Sequence, residues 1–294
     1  MIDLHCHSIF SDGTDTPEAL AELADGCGLS AVALTDHDTV AGLPRFLEAQ
    51  AAARARLVPG LELSCRFMNM EVHLLGLFID PLHPTLLERI SDMRQRREER
   101  NFRMVERLHA LNIPITLEEV AAVAPTRLLS RSHFAKALIK RGAASSRQDV
   151  FARLIGDGCP GHVPFRVITP AEAVRWISEA GGVCVVAHPG RCSQRGFRWE
   201  EAMRDLKDLG IVGFEAYYGE YSPAEQQYFC RLARDLDMVA CGGSDYHGSS
   251  KPGLSLGTGR GNLNVPDEIL GALEARRPRR GPDPAAGSGQ TEYP

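Results

Sequence analysis

Met1-Ile2-Asp3-Leu4-His5-Cys6-His7 opens the chain, and Ser11-Asp12 follows one short loop later. The stretch reads as a strand that delivers two imidazoles to its end. Residues two apart in a strand face the same side, so His5 and His7 point together and Cys6 points away. An isolated pair of this kind is as often a polar strand end as a metal site. Asp12, and similar strand ends elsewhere in the chain, tip the reading toward metal.

Apolar runs at 2–5, 31–34, 57–63, 72–78, 183–187, 213–216 and 239–242 predict seven strands. Six lead into chemically similar ends. After the opening stretch come Thr35-Asp36-His37-Asp38, Gly60-Leu61-Glu62, Val72-His73-Leu74, Ala187-His188-Pro189-Gly190 and Gly243-Ser244-Asp245-Tyr246-His247. Thr16-Pro17-Glu18 and Thr169-Pro170-Ala171-Glu172 carry helix-start chemistry, a cap residue before proline at the first helical position. Gly28 and Gly181-Gly182 stand where those helices should stop. Repeated strand–helix units predict an α/β chain with a parallel sheet or barrel.

Barrel enzymes build their active sites at the C-terminal ends of the strands. His5, His7, Asp12, His37, Glu62, His73, His188, Asp245 and His247 all fall near that predicted rim. Scattered structural histidines would have no reason to share one rim. Imidazole and carboxylate ligate divalent first-row metals, and a cluster with open positions activates water. Of Asp36, His37 and Asp38, only one or two can face a shared ion. His37 is the favoured ligand, with the aspartates orienting imidazoles or capping the next helix. Glu62 has two oxygens and suits a bridge between ions.

Nine ligands suffice for three divalent ions, whose six positive charges exceed the three carboxylates present. The residual positive field suits a phosphate and lowers the pKa of bound water. A hydroxide held between metals would then attack phosphorus in line, with Asp245, His247 and Glu62 at the reacting centre.

Residues 81–165 interrupt the alternation. A long polar helix is expected at 86–111, with shorter ones at 116–123, 131–141 and 147–155. This helical insertion after the fourth strand would lie at the rim as a lid. Arg94, Arg96, Arg97 and Arg100 on the long helix read as a solvated face. Barrel residues are then 1–80 and 166–275. From 276 the composition turns to Pro, Arg, Gly, Ala and Ser, and 276–294 is expected to be a disordered tail.

The net charge of -5 excludes a strongly basic nucleic-acid coat, although a local positive site could still hold one. Eight cysteines without a CxxC pair predict mostly free thiols and a cytoplasmic location. No apolar run is long enough for a membrane span, and no obligate protein partner is evident.

The ordered ligand set resembles the PHP (polymerase and histidinol phosphatase) family, whose pattern is HxH, an acidic or histidine ligand, TDH, GxE, HxL, HPG and SDxH. The match runs over roughly residues 1–265, with no departure at a ligand position. The resemblance implies a distorted (β/α)7 barrel with a di- or trinuclear site, loaded with manganese, iron or zinc. It implies that His5, His7, Glu62 and Asp245 hold one ion, Glu62, His73 and His188 a second, and Asp12, His37 and His247 a third.

Within that family the chain is similar to nucleoside 3′,5′-bisphosphate phosphatases and RNase AM. The helical insertion, Leu129-Ser130-Arg131-Ser132-His133-Phe134-Ala135, Gly158-Cys159-Pro160-Gly161-His162-Val163 and His188-Pro189-Gly190-Arg191 carry this narrower likeness. It implies removal of the 3′-phosphate from a nucleotide such as pAp, and 5′→3′ trimming of short RNA. Ser130, Arg131, His133 and Arg191 are then candidate phosphate contacts, arginine because its fork matches phosphate oxygens. The general acid stays open between water and His133. A histidinol-phosphate phosphatase, a nuclease acting mainly on RNA, a non-catalytic PHP module and an amidase are the competing readings.

Overall fold

A computed structural model describes residues 1–68, 70–124, 129–191 and 197–278. Seven strands follow one another in space in chain order. They are β1 (Ile2–Cys6), β2 (Ala31–Leu34), β3 (Arg56–Phe67), β4 (Met70–Leu77), β5 (Val183–Val186), β6 (Gly213–Tyr218) and β7 (Val239–Gly243). The chain just beyond β7 turns back onto β1. Asp245 N–H donates to His5 O at 2.9 Å and His7 N–H to Tyr246 O at 2.9 Å. These bonds make a nearly closed barrel, as the sequence predicts, and they close it at the end where the histidines lie.

The expected parallel order fails at one strand. β4 is antiparallel to both β3 and β5. A parallel return needs a crossover of a dozen or more residues, and the 64–71 gap is too short for one. β3 and β4 are longer than predicted, and Ser64 stands opposite His73 within their ladder. Glu62 and His73 therefore sit inside strands, not at C-terminal ends. They reach the rim because β4 begins there and β3 extends past it.

Helices α1 (Pro17–Gly26), α2 (Leu43–Glu48), α7 (Pro170–Glu179), α8 (Trp199–Asp208) and α9 (Pro223–Asp235) cover the outer face. Thr16 caps α1 and Thr169 forms a capping box with Glu172 on α7, as their sequences predict. Gly28 and Gly181, just past those helices, both have positive φ, which glycine adopts without strain. A second apolar cluster, with Leu4, Ala33, Leu75, Val185 and Val239, fills the barrel's interior and continues to α10 (Glu268–Glu274).

The insertion holds α3 (Pro84–Ala110), α4 (Leu117–Ala121), α5 (Arg131–Lys140) and α6 (Arg147–Val150), the last continued by a π-helical turn at Phe151–Ile155. At 27 residues, and about 1.5 Å of rise per residue, α3 outreaches the barrel wall. Its Leu86, Ile90 and Met93 pack on the barrel core. Its Met104 and Leu108 join a third cluster with Val120, Phe134, Leu138 and Ile155.

Arg276 and Arg277, expected in a disordered tail, are bonded to the barrel. Arg277 donates to Gly181 O at 3.0 Å and Phe78 O at 3.3 Å, satisfying carbonyls at strand and helix ends. Residues 279–294 of the expected tail lie outside the described residues.

Candidate metal centre

The sequence-predicted ligands meet in one place, around Glu62. This side chain is fully buried. Its Oε2 lies 3.2 Å from His5 Nε2, 3.2 Å from His7 Nε2 and 3.1 Å from His37 Nδ1. Its Oε1 lies 2.8 Å from His73 Nδ1 and 3.0 Å from His188 Nε2. Asp245 Oδ1 is 3.2 Å from His7 Nε2, and Asp12 Oδ1 is 3.2 Å from His247 Nε2. Each predicted ligand thus contacts at least one other.

Two strand irregularities aim these groups. Ile2 and Leu4 belong to the interior cluster, and Cys6 to the outer one. β1 shifts register between Asp3 and Cys6, which turns His5 inward directly after Leu4. β6 shifts between Glu215 and Tyr217. Bulges of this kind re-aim side chains beside active sites. His188 and Asp245 both have positive φ, a strained state for residues other than glycine that the surrounding structure must hold.

The donor set fits divalent cations. Among the described residues, four overlapping groups have ligand atoms within 4.8 Å of one another: His7, Asp12, His37, His247; His5, His7, Asp245; His5, Glu62, His188; and His37, Glu62, His73. His5 Nε2 and His7 Nε2 approach to 3.1 Å, an arrangement of two lone-pair donors that a shared cation would satisfy. Burial alone would raise the Glu62 carboxyl, yet His37, His5 and His73 hold it well below the usual range. Asp245 is held low despite burial by His5, His7 and Lys251. Both carboxylates are thus ionised and ready to ligate. Burial pushes His37 down to about 4, so it is neutral near pH 7. Burial opposes a charge on His7, but hydrogen bonds to Asp245 and Glu62 raise it to about 9.

Several supporting residues were missed by sequence reasoning. Glu215 is buried between His5 and the His188 main chain. Tyr218 O–H donates to Asp245 Oδ2 at 2.8 Å, and Lys251 Nζ approaches the same oxygen. A glutamate inside the apolar stretch Gly213-Phe214-Glu215-Ala216 was the available signal. Asp36 accepts from Ser8 and Ser11, and Ser11 Oγ lies 3.3 Å from His7 Nδ1. This matches its expected orienting role. Asp38 accepts from Ser64 N–H at 3.0 Å and from Arg97.

Beside the cluster lies a cavity of about 570 Å³, lined by Ser64, Glu71, Arg97, Arg100, Ser130, Arg131, His162 and Phe165 among others. It adjoins the cluster because Glu71 Oε1 is 3.4 Å from His73 Nε2. Arg97 and Arg100 do not form the expected solvated face. Arg100 is 8% exposed, its Nε has no hydrogen-bond partner among the described residues, and its guanidinium lies 5.1 Å from the Phe165 ring centre. Burial, with Arg97 and Arg131 nearby, lowers it to about 10. These arginines are drawn inward because α3 crosses the rim. Arg94 Nη1 donates to Thr39 Oγ1 at 3.2 Å, and Arg96 pairs loosely with Asp92.

The candidate phosphate contacts divide. Ser130 and Arg131 line the cavity, where Arg131 pairs with Asp157 at 2.7 Å. His133 turns Nδ1 toward Ser130 N–H at 3.2 Å. Arg191 is not in that lining; it lies 3.4 Å from Glu220, with its side chain 56% exposed.

Among the described residues seven cysteines are free, and no helix is long and apolar enough to cross a membrane.

Comparison with known proteins agrees with this geometry. The PHP domain model matches residues 3–113. A 5′-3′ exoribonuclease from Escherichia coli (strain K12) is 36% identical over 87% of each chain. A 3′,5′-nucleoside bisphosphate phosphatase from Chromobacterium violaceum is 34% identical over 94% of this chain and 97% of its own. A solved structure from Bifidobacterium adolescentis, described as that of a metal-dependent phosphoesterase, superposes with a TM-score of 0.73. It is 31% identical and covers 97% of this chain and 98% of its own. On this evidence the chain belongs to the PHP family of metal-dependent phosphoesterases, hydrolases of phosphoester bonds.

Proposed function

We propose that this protein removes the 3′-phosphate of nucleoside 3′,5′-bisphosphates, taking pAp to AMP, and trims short RNA from its 5′ end. The observation that carries the reading is the arginine-lined cavity adjoining the metal-ligand cluster. A substrate with one phosphate at the cluster and a second anion in the cavity satisfies both. Arg100 is nine-tenths buried, its Nε without a hydrogen-bond partner among the described residues, and a buried guanidinium is costly until an anion meets it. The names of the relatives, a bisphosphate phosphatase and an exoribonuclease, support the same substrate class.

In this reading three divalent ions would be held as the family likeness implies: by His5, His7, Glu62 and Asp245; by Glu62, His73 and His188; and by Asp12, His37 and His247. Manganese is the favoured ion, with iron or zinc as alternatives. When bound, the ions supply water activation and charge neutralisation at the reacting phosphate. Glu62, Asp245 and His247 hold that centre rigid. Ser130 and Arg131 bind the second phosphate from the insertion, which acts as a lid over the barrel, residues 81–165 over 1–80 and 166–275. Arg191, three residues after His188, is a further candidate contact for the substrate. His133 or water returns a proton to the leaving 3′-oxygen. The free thiols support a reducing, cytoplasmic setting.

The test is phosphate release from pAp by manganese-loaded protein, set against AMP, histidinol phosphate and a short 5′-phosphorylated RNA. Asp245→Asn is the control. Rapid, 245-dependent release from pAp supports the proposal. Inert pAp alongside cleavage of histidinol phosphate would replace the substrate assignment and leave the metal centre.

A further inference from the structure

We propose that Glu215 is a positioning residue that sets two of the candidate metal ligands, His5 and His188, from behind. The inference rests on the metal-centre reading above and deepens it. Glu215 is fully buried on β6. Its Oε1 lies 3.1 Å from His5 Nδ1, and its Oε2 accepts the His188 main-chain N–H at 2.7 Å. Both imidazoles turn Nε2 to Glu62: His5 Nε2 lies 3.2 Å from Oε2, and His188 Nε2 lies 3.0 Å from Oε1. The two rings stack, with centroids 5.6 Å apart and planes at 21°. One buried carboxylate therefore backs a pair of histidines that face a second carboxylate.

Each contact has a specific consequence. A carboxylate at Nδ1 accepts a proton-bearing nitrogen, which leaves the His5 lone pair on Nε2, the atom aimed at the cluster. His188 has φ 28, a left-handed backbone that persists only where its surroundings fix it. The bond from its N–H to Glu215 supplies one such constraint. The β6 register shift begins at Glu215, so the irregularity that frees the strand also presents this side chain. Among the described residues its hydrogen bonds go to His5 and His188, both oxygens being engaged from behind the cluster. It acts through its histidines.

Glu215→Gln keeps size and shape but exchanges one acceptor oxygen for a donor, so it cannot accept from both partners. Glu215→Asp keeps the charge and shortens the reach. The experiment titrates full-length, metal-free protein with Mn2+, reading free ion by electron paramagnetic resonance. Melting of the metal-free variants and kcat and KM on pAp are measured in parallel. Glu215→Gln is expected to bind one class of Mn2+ about 10- to 100-fold more weakly, the size typical for groups that orient ligands. Its kcat falls while KM holds, and Glu215→Asp recovers part of the loss. Mn2+ binding by Glu215→Gln as tight as the parent's overturns the proposal. Should the glutamine variant not fold, nitrogen–proton spectra of the zinc-loaded parent decide. His5 protonated on Nδ1 supports the proposal, and His5 protonated on Nε2 overturns it. A parent inactive on pAp counts against the substrate alone, because the titration and the tautomer are read without it.

Discussion

His5 and Gly243 stand back to back where the barrel closes: a Cβ at 243 would lie 2.4 Å from His5 Cβ and 2.6 Å from His5 N. Only a residue without a side chain lets β7 approach β1 this closely. Gly243→Ala must push the strands apart at the point that aims His5. Overpacking of this kind costs about 1–3 kcal/mol. Denaturant unfolding of the metal-free variant should show that loss, with reduced Mn2+ content after loading. A variant with parental stability and full metal content would show that the closure is looser than described.

Glu62 contacts five histidines through its two oxygens. Glu62→Gln removes the charge that those imidazoles and any shared cations oppose. Activity on pAp should fall by well over about 100-fold, beyond the range seen for outer-shell substitutions. Metal analysis of the purified variant should show fewer equivalents than the parent. Retention of both would remove Glu62 from the centre.

Arg100→Met separates anion binding from stability. The KM for pAp should rise roughly 10- to 100-fold, as expected for losing a hydrogen bond to a charged group worth about 1.5–3 kcal/mol. Hydrolysis of p-nitrophenyl phosphate, which has no second anion, should be little changed. The melting temperature should hold or rise, because an apolar chain replaces a buried guanidinium that lacks a partner at Nε among the described residues. An equal effect on both substrates would place Arg100 outside substrate recognition.

Metal affinity should climb with pH. His7, raised to about 9 in the metal-free protein, carries a proton at neutral pH that must leave before Nε2 can ligate. Apparent Mn2+ affinity should therefore strengthen from pH 6.5 toward 9, and calorimetry in buffers of different ionisation enthalpy should report proton release. Stability without metal runs the other way for this group. A folded-state pKa above the usual value stabilises below pH 6.5, and that contribution is lost as pH rises through about 9. A pH-independent affinity would refute the assignment of His7 as a ligand protonated in the metal-free state.

The seven strands were legible because each is a short apolar run bounded by turn chemistry, and the ligands because each follows a local motif such as Thr35-Asp36-His37. The reversal of β4 was legible only in part. The 64–71 gap was too short for a crossover, but apolar runs carry no direction. Arg97 and Arg100 look like any charged helix face, and nothing local marks where α3 crosses the rim. Glu215 was hidden for a similar reason. Its partner His5 lies 210 residues away.

By itself, then, the sequence determined the number of strands, their order along the chain and a set of groups able to ligate several cations. Those properties belong to residue types and short periodicities. Only the tertiary structure decided that β4 runs backward to bring His73 beside Glu62, that a bulge turns His5 inward, and that Arg100 is sealed beside the cluster. Each depends on register between distant strands, where a slip of one residue reverses which face a side chain meets.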